Sequence, residues 1–185
     1  MATPTVYFFS MPYAYYDKLS ARDKATYRES DRIIRVPLKA AASMWPLVEQ
    51  IRAALEEANR SEVQAYVQRL VTRMVTDLGA PPVHVKVLAA RPSHDWGEMQ
   101  GLYEPEDDDV AVITVWMRTA AKKRVVAFKT FLRTVLHEIC HHLDYELYGL
   151  EESFHTEGFF KRESSLFHQI VGRDAQVATP PAAQA

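Results

Sequence analysis

One short motif constrains this chain more than any other feature of its sequence. Residues 136–142 read Leu-His-Glu-Ile-Cys-His-His and contain a single H-E-x-x-H motif, formed by His137, Glu138 and His141. Residues four apart on an α-helix lie on the same face, one turn above the other. On a helix, both imidazoles can therefore bind one zinc ion at about 2.0–2.1 Å from each nitrogen. The motif predicts a helix that carries two metal ligands.

The flanking residues predict a long helix around the motif, over about residues 124–148. Gly149 provides a plausible stop, because glycine readily adopts the left-handed conformation that ends many helices. Four of the seven histidines of the chain fall between residues 137 and 155, which favours a metal site over a helix with ordinary polar histidines. Apolar residues at helical spacing mark the packed face: Phe131, Leu132, Val135, Leu136, Ile139, Leu143 and Leu147.

A catalytic zinc site needs a third protein ligand and one position left open for water. The metzincin pattern places a histidine six residues after the second ligand, but that position is Leu147 here. His142 directly follows His141 and points about 100° around the helix, which makes it a poor third ligand. His155 is the best candidate, because the loop over residues 149–153 can turn the chain back over the metal.

These residues resemble a known family. The run His137-Glu138-x-x-His141, followed later in the chain by His155 and Phe159, is similar to the SprT-like and related minimal zincin metallopeptidases. Those proteins pair H-E-x-x-H with a later histidine that is followed by an aromatic residue. The resemblance implies that the three histidines bind zinc and that Glu138 is the general base.

The resemblance covers roughly residues 83–172 and departs from the family pattern at one position. The family usually has glycine directly after the third histidine, whereas this chain has Thr156. Glu157 and Glu163 therefore stay open as alternative oxygen ligands, as in zincins whose third ligand is glutamate.

Several residues near the motif are candidates for supporting roles. Ligating histidines usually donate their second ring nitrogen to a carboxylate or a carbonyl. Asp144, on the metal-bearing face, is a candidate for that carboxylate, and the alternative is a solvated helix residue. A second donor to the reacting carbonyl oxygen is expected from one of four residues: Tyr103, His142, Tyr145 and Tyr148.

The leading hypothesis is zinc-dependent peptide hydrolysis. Zinc lowers the pKa of water toward about 7, and Glu138 accepts a proton from that water and delivers it to the leaving amine. The competing hypothesis is a zinc-stabilised binding or regulatory module without turnover. A structural site would be closed by a fourth protein ligand and would not need Glu138. A third hypothesis keeps the enzyme but lets the aromatic segment 7–16 occupy and restrain the substrate groove.

Composition excludes several classes of protein. The chain has 185 residues, which suits one compact domain or a small domain with an appendage. A net charge of -2 gives no argument for nucleic-acid or membrane binding, so a peptide or protein is the expected partner. Some SprT-like proteins act on DNA-bound proteins. This chain has no excess of basic over acidic residues, which argues against that role here. One cysteine excludes an intramolecular disulfide framework, and without a secretion signal we expect a cytoplasmic protein.

The expected fold class is α+β. We predict a minimal zincin-like core with a small, mostly antiparallel sheet packed on the metal-binding helix, preceded by a helical N-terminal half. The helical part covers residues 1–82, the core 83–174, and a flexible tail 175–185. Further helices are predicted over 20–34, 44–59, 62–78 and 157–171, and strands over 83–87, 97–103 and 110–117.

Local signals support the helix starts and one hairpin. Ser20 with Asp23 is a helix-start signal, Ser61 with Gln64 fits a capping box, and Gly79 fits a helix end. The acidic turn at 105–109 predicts an antiparallel hairpin of the strands on either side. In zincins a sheet edge beside the metal helix pairs with the substrate backbone, and both strands of this hairpin are candidates for that edge.

Overall fold

The computed structural model describes residues 16–90, 93–94, 97–98, 100–105, 110–120 and 123–171. The predicted tail at 175–185 and nearly all of the aromatic segment at 7–16 lie outside the described residues. No helix in the described ranges is both long and apolar enough to cross a membrane.

All the helices predicted from the sequence are present. In the described part of the chain there are five α-helices: α1 (Ala21–Arg32), α2 (Trp45–Glu56), α3 (Arg60–Leu78), α4 (Phe128–Glu146) and α5 (Glu157–Val171). Helix α4 is the predicted metal-bearing helix, and it begins and ends slightly inside the predicted range. Gly149 has a φ of 62°, which fits its predicted role after the helix end.

The helix starts confirm one predicted cap and correct another. The Ser20 side chain accepts a hydrogen bond from the Asp23 amide in a complete capping box. For α3 the prediction was wrong, because Asn59 is the N-cap and its side chain accepts from the Glu62 amide. Ser61 instead lies inside the first turn and donates to Asn59 Oδ1. The helix therefore begins earlier than the Ser61 signal predicts.

The sheet is mixed, which corrects the prediction of a mostly antiparallel sheet. Its three strands are β1 (His84–Ala90), β4 (Gly101–Glu104) and β5 (Val112–Arg118), while the short β2 (Ser93–His94) and β3 (Gly97–Glu98) pair separately. The spatial order is β1-β5-β4. Strand β5 pairs antiparallel with β4, as the hairpin prediction requires, and parallel with β1. The mixed character arises because β5 lies between β1 and β4, an arrangement that no hairpin signal encodes.

Helix α4 packs beside β4 and β5, and the interior is continuous with the N-terminal helices. One hydrophobic cluster includes Ile51 of α2, Val71 of α3, Ile113 of β5, Ile139 of α4 and Phe159 of α5, and each of these side chains is fully buried. The metal-bearing helix is thus held along its apolar face. Residues of its opposite face, including His137 and Glu138, lie beside β4.

Side chains of α3 cover the outer edge of β1. The Gln64 side chain accepts from the Val87 amide at 2.6 Å and donates to the Val85 carbonyl at 2.6 Å. Gln68 accepts from the Val85 amide at 2.8 Å and donates to the Val83 carbonyl at 3.1 Å. One helical turn separates the two glutamines, so their amides line up along the strand. They take the place of a neighbouring strand.

Candidate metal centre

The three predicted histidines meet at one point. Helix α4 places His137 and His141 one turn apart, and the chain after α4 returns to bring His155 against both. His155 Nε2 lies 2.9 Å from His137 Nε2 and 3.1 Å from His141 Nε2. The three ligand atoms lie within 4.8 Å of one another, and the group could hold a metal ion.

The donor set fits a zinc ion. Two Zn–N bonds of about 2.0–2.1 Å at a tetrahedral angle place their nitrogens about 3.4 Å apart, close to the separations seen here. Burial, together with the neighbouring His137, lowers the pKa of His141 to about 3 and of His155 to about 4. Both rings are therefore neutral at physiological pH, as metal binding requires. Three nitrogen atoms that face one another are best satisfied by a shared cation.

The two glutamates that were alternative third ligands lie elsewhere. Glu163 Oε2 faces the other ring nitrogen of His137, Nδ1, at 3.5 Å, and Glu163 Oε1 accepts from Arg133 at 2.8 Å. Glu157 pairs with Lys161 on the surface of α5. Neither belongs to the described group of converging ligand atoms, which holds His155 instead.

Behind His141, a chain of hydrogen-bonded polar side chains continues from Ser153, which lines the second hollow, into the protein. His141 Nδ1 lies 2.7 Å from Ser153 Oγ, and the Ser153 hydroxyl donates to Asp144 Oδ2 at 2.8 Å. Asp144 Oδ1 accepts from Arg162 at 2.6 Å, and the side chains of Asp144 and Arg162 are both 0% exposed. Burial raises the pKa of Asp144, and the Arg162 guanidinium opposes that rise. Asp144 therefore supports His141, as the sequence predicts, but it acts through Ser153 and does not contact His141 directly.

Helix α1 holds the segment that carries His155. The Tyr27 ring packs on Phe154 at a centroid distance of 5.9 Å. The Asp31 side chain accepts from the Gly158 amide at 2.8 Å, and a Cβ at Gly158 would overlap the Asp31 carbonyl. The position of the third ligand thus depends on a helix from the opposite end of the described chain.

Thr156, the residue that departs from the family pattern, has a local structural role. Its Oγ1 accepts a hydrogen bond from the Phe159 amide at 3.0 Å. A threonine hydroxyl at this position caps the first turn of α5. The Thr156 side chain is fully buried. His155 still lies in the histidine group, although the chain departs from the family pattern at the next residue.

Glu138 lies at the surface of a cleft next to the histidines. Its carboxylate rests directly against the backbone of β4, where a Cβ at Gly101 would overlap Glu138 Oε1. Burial raises the pKa of Glu138 to about 7, while His137 opposes the rise. A carboxyl group with a pKa near neutrality is well matched to proton transfer at physiological pH.

Two connected hollows run along β4 and share Glu138. The first, of about 510 Å³, lies toward the start of α4 and includes Arg133, His137 and Glu163. The second, of about 340 Å³, includes all three histidines of the site. Gly101, His137 and Glu138 line both hollows. A chain laid along β4 would therefore pass directly over the carboxylate.

The side chains of His142 and Tyr103 are hydrogen-bonded to each other. His142 is 1% exposed, and its Nε2 lies 2.9 Å from the Pro81 carbonyl, which can only accept. Burial lowers the pKa of His142. The neutral ring therefore donates through Nε2 and accepts at Nδ1, where the Tyr103 hydroxyl lies at 3.3 Å. The hydroxyl hydrogen of Tyr103 is consequently used within the protein.

The other two tyrosines differ in position. Tyr148 lies beside Arg162, whose guanidinium is 5.8 Å from the ring centroid, away from the cleft-lining residues. Tyr145 lines the second hollow and stacks on Tyr103 at a centroid distance of 5.9 Å. The Tyr145 hydroxyl accepts from the Ser153 amide at 3.4 Å and has no acceptor for its own hydrogen among the described residues, so it can donate into the cleft.

Sequence reasoning missed three residues of this site. Arg162 carried a signal, because it is a charged residue on the apolar face of α5, between Phe159 and Leu166. Gly101 and Ser153 carried none, since their roles depend on contacts with residues far away in the chain.

The site is therefore a group of three histidines that could bind a metal ion, beside a buried carboxylate in a cleft. Comparisons of the chain with protein-family models, with curated proteins and with solved structures found no match.

Proposed function

We propose that this protein is a zinc-dependent metallopeptidase of the SprT-like, minimal zincin kind. One observation carries the proposal: the Glu138 carboxylate lies next to the three-histidine group, in a cleft along β4, whose outer edge pairs with no other strand among the described residues. A purely structural metal site does not need a carboxylate there. The resemblance of the motif to minimal zincins supports the same conclusion.

In this proposal, His137, His141 and His155 hold the metal. A bound zinc ion supplies Lewis-acid chemistry, because it polarises a carbonyl group and activates water at neutral pH. With three protein ligands, one coordination position is left for exchange, as catalytic zinc sites require.

Glu138 acts as the proton carrier. Its carboxylate accepts a proton from the attacking water and later delivers it to the leaving amine. The backbone of Gly101 on one side holds the carboxylate in place. Burial of the carboxyl group raises its pKa, which makes the carboxylate a stronger proton acceptor.

Tyr145 is our candidate for the second donor to the reacting oxygen. It lines the same hollow as Glu138 and the three histidines. Its hydroxyl hydrogen is free, whereas that of Tyr103 is directed to His142. A donor that is already in position can stabilise negative charge as it develops on the carbonyl oxygen.

The substrate in this proposal is an extended peptide segment that lies along β4. Backbone hydrogen bonds to the strand edge would provide affinity, and the hollows on either side of Glu138 would accept side chains. The first hollow contains the Arg133–Glu163 ion pair at 2.8 Å. Polar side chains therefore suit that hollow better than large apolar ones.

The test is cleavage of a peptide library prepared from a digested proteome, read as new peptide termini by mass spectrometry. Zinc-loaded protein is compared with Glu138→Gln, and zinc content is measured in both. We expect cleavage by the wild type, about 10²- to 10⁴-fold slower cleavage by Glu138→Gln, and about one zinc per chain in each.

Other outcomes are equally informative. Equal cleavage by both proteins would exclude Glu138 as the proton carrier. Stoichiometric zinc without cleavage, in both the library and unfolded proteins, would instead favour the zinc-stabilised binding module. Loss of zinc in His155→Ala, but not in Glu138→Gln, would establish which residues hold the metal.

A further inference from the structure

We propose that Ser153, Asp144 and Arg162 fix the ring tautomer of His141, so that its Nε2 lone pair always faces the metal position. The inference rests on the three-histidine metal site proposed above, but not on the peptidase activity. Ser153, Asp144 and Arg162 are positioning residues, since none of them lies within the group of ligand atoms.

The direction of the hydrogen-bond chain determines the tautomer. A serine hydroxyl has one hydrogen, and Ser153 donates it to Asp144 Oδ2 at 2.8 Å. Ser153 Oγ must then accept from His141 Nδ1, which lies 2.7 Å away. A neutral imidazole carries one N–H. With that hydrogen on Nδ1, Nε2 has a free lone pair directed at His155 and the metal position.

Arg162 keeps this direction from reversing. An ionised carboxylate can only accept hydrogen bonds, whereas a protonated or amide group could donate to Ser153 and reverse the chain. The Arg162 guanidinium is always charged and lies 2.6 Å from Asp144 Oδ1, in a place where both side chains are fully buried. An adjacent positive charge favours the ionised form of the carboxyl group.

Arg162 is itself held by the end of α1. Its NH1 atom donates to the Ser30 and Ile33 carbonyls, each at 2.6 Å. Those two carbonyls lie in the last turn of the helix and just beyond it, and the Ser30 carbonyl also accepts from the Ile33 amide at 3.2 Å. The guanidinium therefore bridges the end of α1 and Asp144 and cannot turn away from either. The chain runs unbroken from α1 to the metal ligand.

Ser153 is the uncharged residue between His141 and the Asp144–Arg162 pair, and its substitution gives the simplest test. Ser153→Ala removes the bond to His141 and leaves the buried Asp144–Arg162 pair intact. Ser30→Ala is the matched control. Ser30 Oγ accepts at 3.1 Å from Arg162 NH2, the nitrogen that also donates to Asp144, but it does not contact His141. Both variants lose one serine hydroxyl from the same buried network.

Two measurements on the full-length chain separate positioning from general damage. NMR spectra of isotope-labelled histidine rings distinguish protonated from unprotonated ring nitrogens, and they are recorded before zinc is added. Zinc affinity is then measured by competition with a chromophoric chelator. We expect His141 to carry its hydrogen on Nδ1 in the wild type and in Ser30→Ala, and to shift toward the Nε2–H form in Ser153→Ala. The same variant should bind zinc about 10- to 100-fold more weakly.

Asp144→Asn is a second, independent variant, which should reverse the direction of the hydrogen bonds between residue 144, Ser153 and His141. The amide oxygen can accept from Arg162, and the amide N–H can then donate to Ser153, which would donate to His141 Nδ1. We expect the Nε2–H tautomer of His141 and weaker zinc binding, since an aspartate-to-asparagine change in a comparable carboxylate–histidine pair produces the wrong tautomer.

The outcomes are distinct. An unchanged His141 tautomer and unchanged zinc affinity in Ser153→Ala, with wild-type zinc binding intact, would overturn the proposal and leave the peptidase proposal standing. A correct tautomer pattern in a protein that cleaves no peptide would support this proposal and count against the peptidase. A wild-type chain whose His141 carries hydrogen on Nε2 would overturn the proposal directly.

Discussion

The two outer strands of the sheet differ in what covers their free edges. Along β1, the side-chain amides of Gln64 and Gln68 satisfy the backbone groups of Val83, Val85 and Val87. Along β4, no strand among the described residues pairs with the outer edge, and the cleft with Glu138 lies beside it.

This difference supports the proposed binding of a peptide along β4. An open strand edge can pair with any extended peptide, and proteins usually cover such edges to avoid aggregation. Here the edge far from the histidines is covered by glutamine amides. The edge beside them pairs with no strand among the described residues, which suits the proposed use of β4 for backbone recognition of a substrate. Three variants test the comparison, in order of their expected effect on cleavage.

The largest effect is expected from Gly101→Ala on the open edge. The new Cβ would overlap the Glu138 carboxylate and displace it. Because the proton carrier would move, we expect peptide cleavage to fall on the order of 10³-fold, within the usual contribution of general acid–base catalysis. Zinc content should be unchanged, since Gly101 touches none of the histidine nitrogens. Rates on a library-derived peptide and metal analysis check both expectations.

The matched control is Lys86→Ala, an alanine substitution at an exposed position of β1. It should leave cleavage unchanged. If Gly101→Ala also cleaves at the wild-type rate, the close packing of Glu138 on β4 has no part in its function.

A smaller effect is expected from Tyr145→Phe, which removes the free hydroxyl donor from the cleft. Loss of one donor to a developing oxyanion typically lowers kcat by about 10²-fold. Tyr103→Phe is the comparison, because its hydroxyl is directed to His142 and should affect stability more than kcat. Steady-state kinetics of both variants on one peptide will decide the matter. A larger loss of kcat in Tyr103→Phe would reverse the assignment.

The covered edge should affect cleavage least. In the double variant Gln64→Ala with Gln68→Ala, four backbone hydrogen bonds lose their partners. We expect unchanged cleavage but a free energy of unfolding lower by about 1–3 kcal/mol for each glutamine. Urea unfolding measures this loss, and size-exclusion chromatography measures the self-association expected of a newly open edge.

Gln50→Ala, at an exposed position of α2, controls for the loss of a glutamine as such. A double variant no less stable than this control, and equally monodisperse, would show that the amides do not protect β1.

Zinc removal tests the three-histidine centre beside β4. The neutral, buried His141 and His155 converge with His137 on one position. A ligand that binds only the folded state raises its apparent stability, by about 2.7 kcal/mol at a concentration of 100 Kd. We therefore expect the thermal unfolding temperature to fall when zinc is chelated and to recover when zinc is restored. An unchanged unfolding temperature would contradict zinc binding to the folded protein.

Much of this arrangement follows from local sequence. The spacing of His137 and His141 places both on one helical face, and helix-start signals, periodicity and glycine stops predicted the helices that the structure contains. The alternation after residue 83 and the apolar run near residue 113 predicted the two long strands. These features depend on residues within a few positions of one another, so periodicity alone can reveal them.

Other features depend on contacts between distant parts of the chain. Strand β5 lies between β1 and β4, which makes the sheet mixed. Gly101 leaves room for Glu138, although the two residues lie in different elements. No local pattern contains either fact.

The sequence by itself predicted the helices and the hairpin, placed His137 and His141 on one helical face, and indicated His155 as the best candidate for the third ligand. Only the tertiary structure decided what holds those histidines in place. Arg162 reaches the Ser30 carbonyl across 132 positions of sequence, and through Asp144 it supports His141. A buried charged side chain destabilises the fold unless it is paired and hydrogen-bonded. That partner is set by three-dimensional packing and not by spacing along the chain.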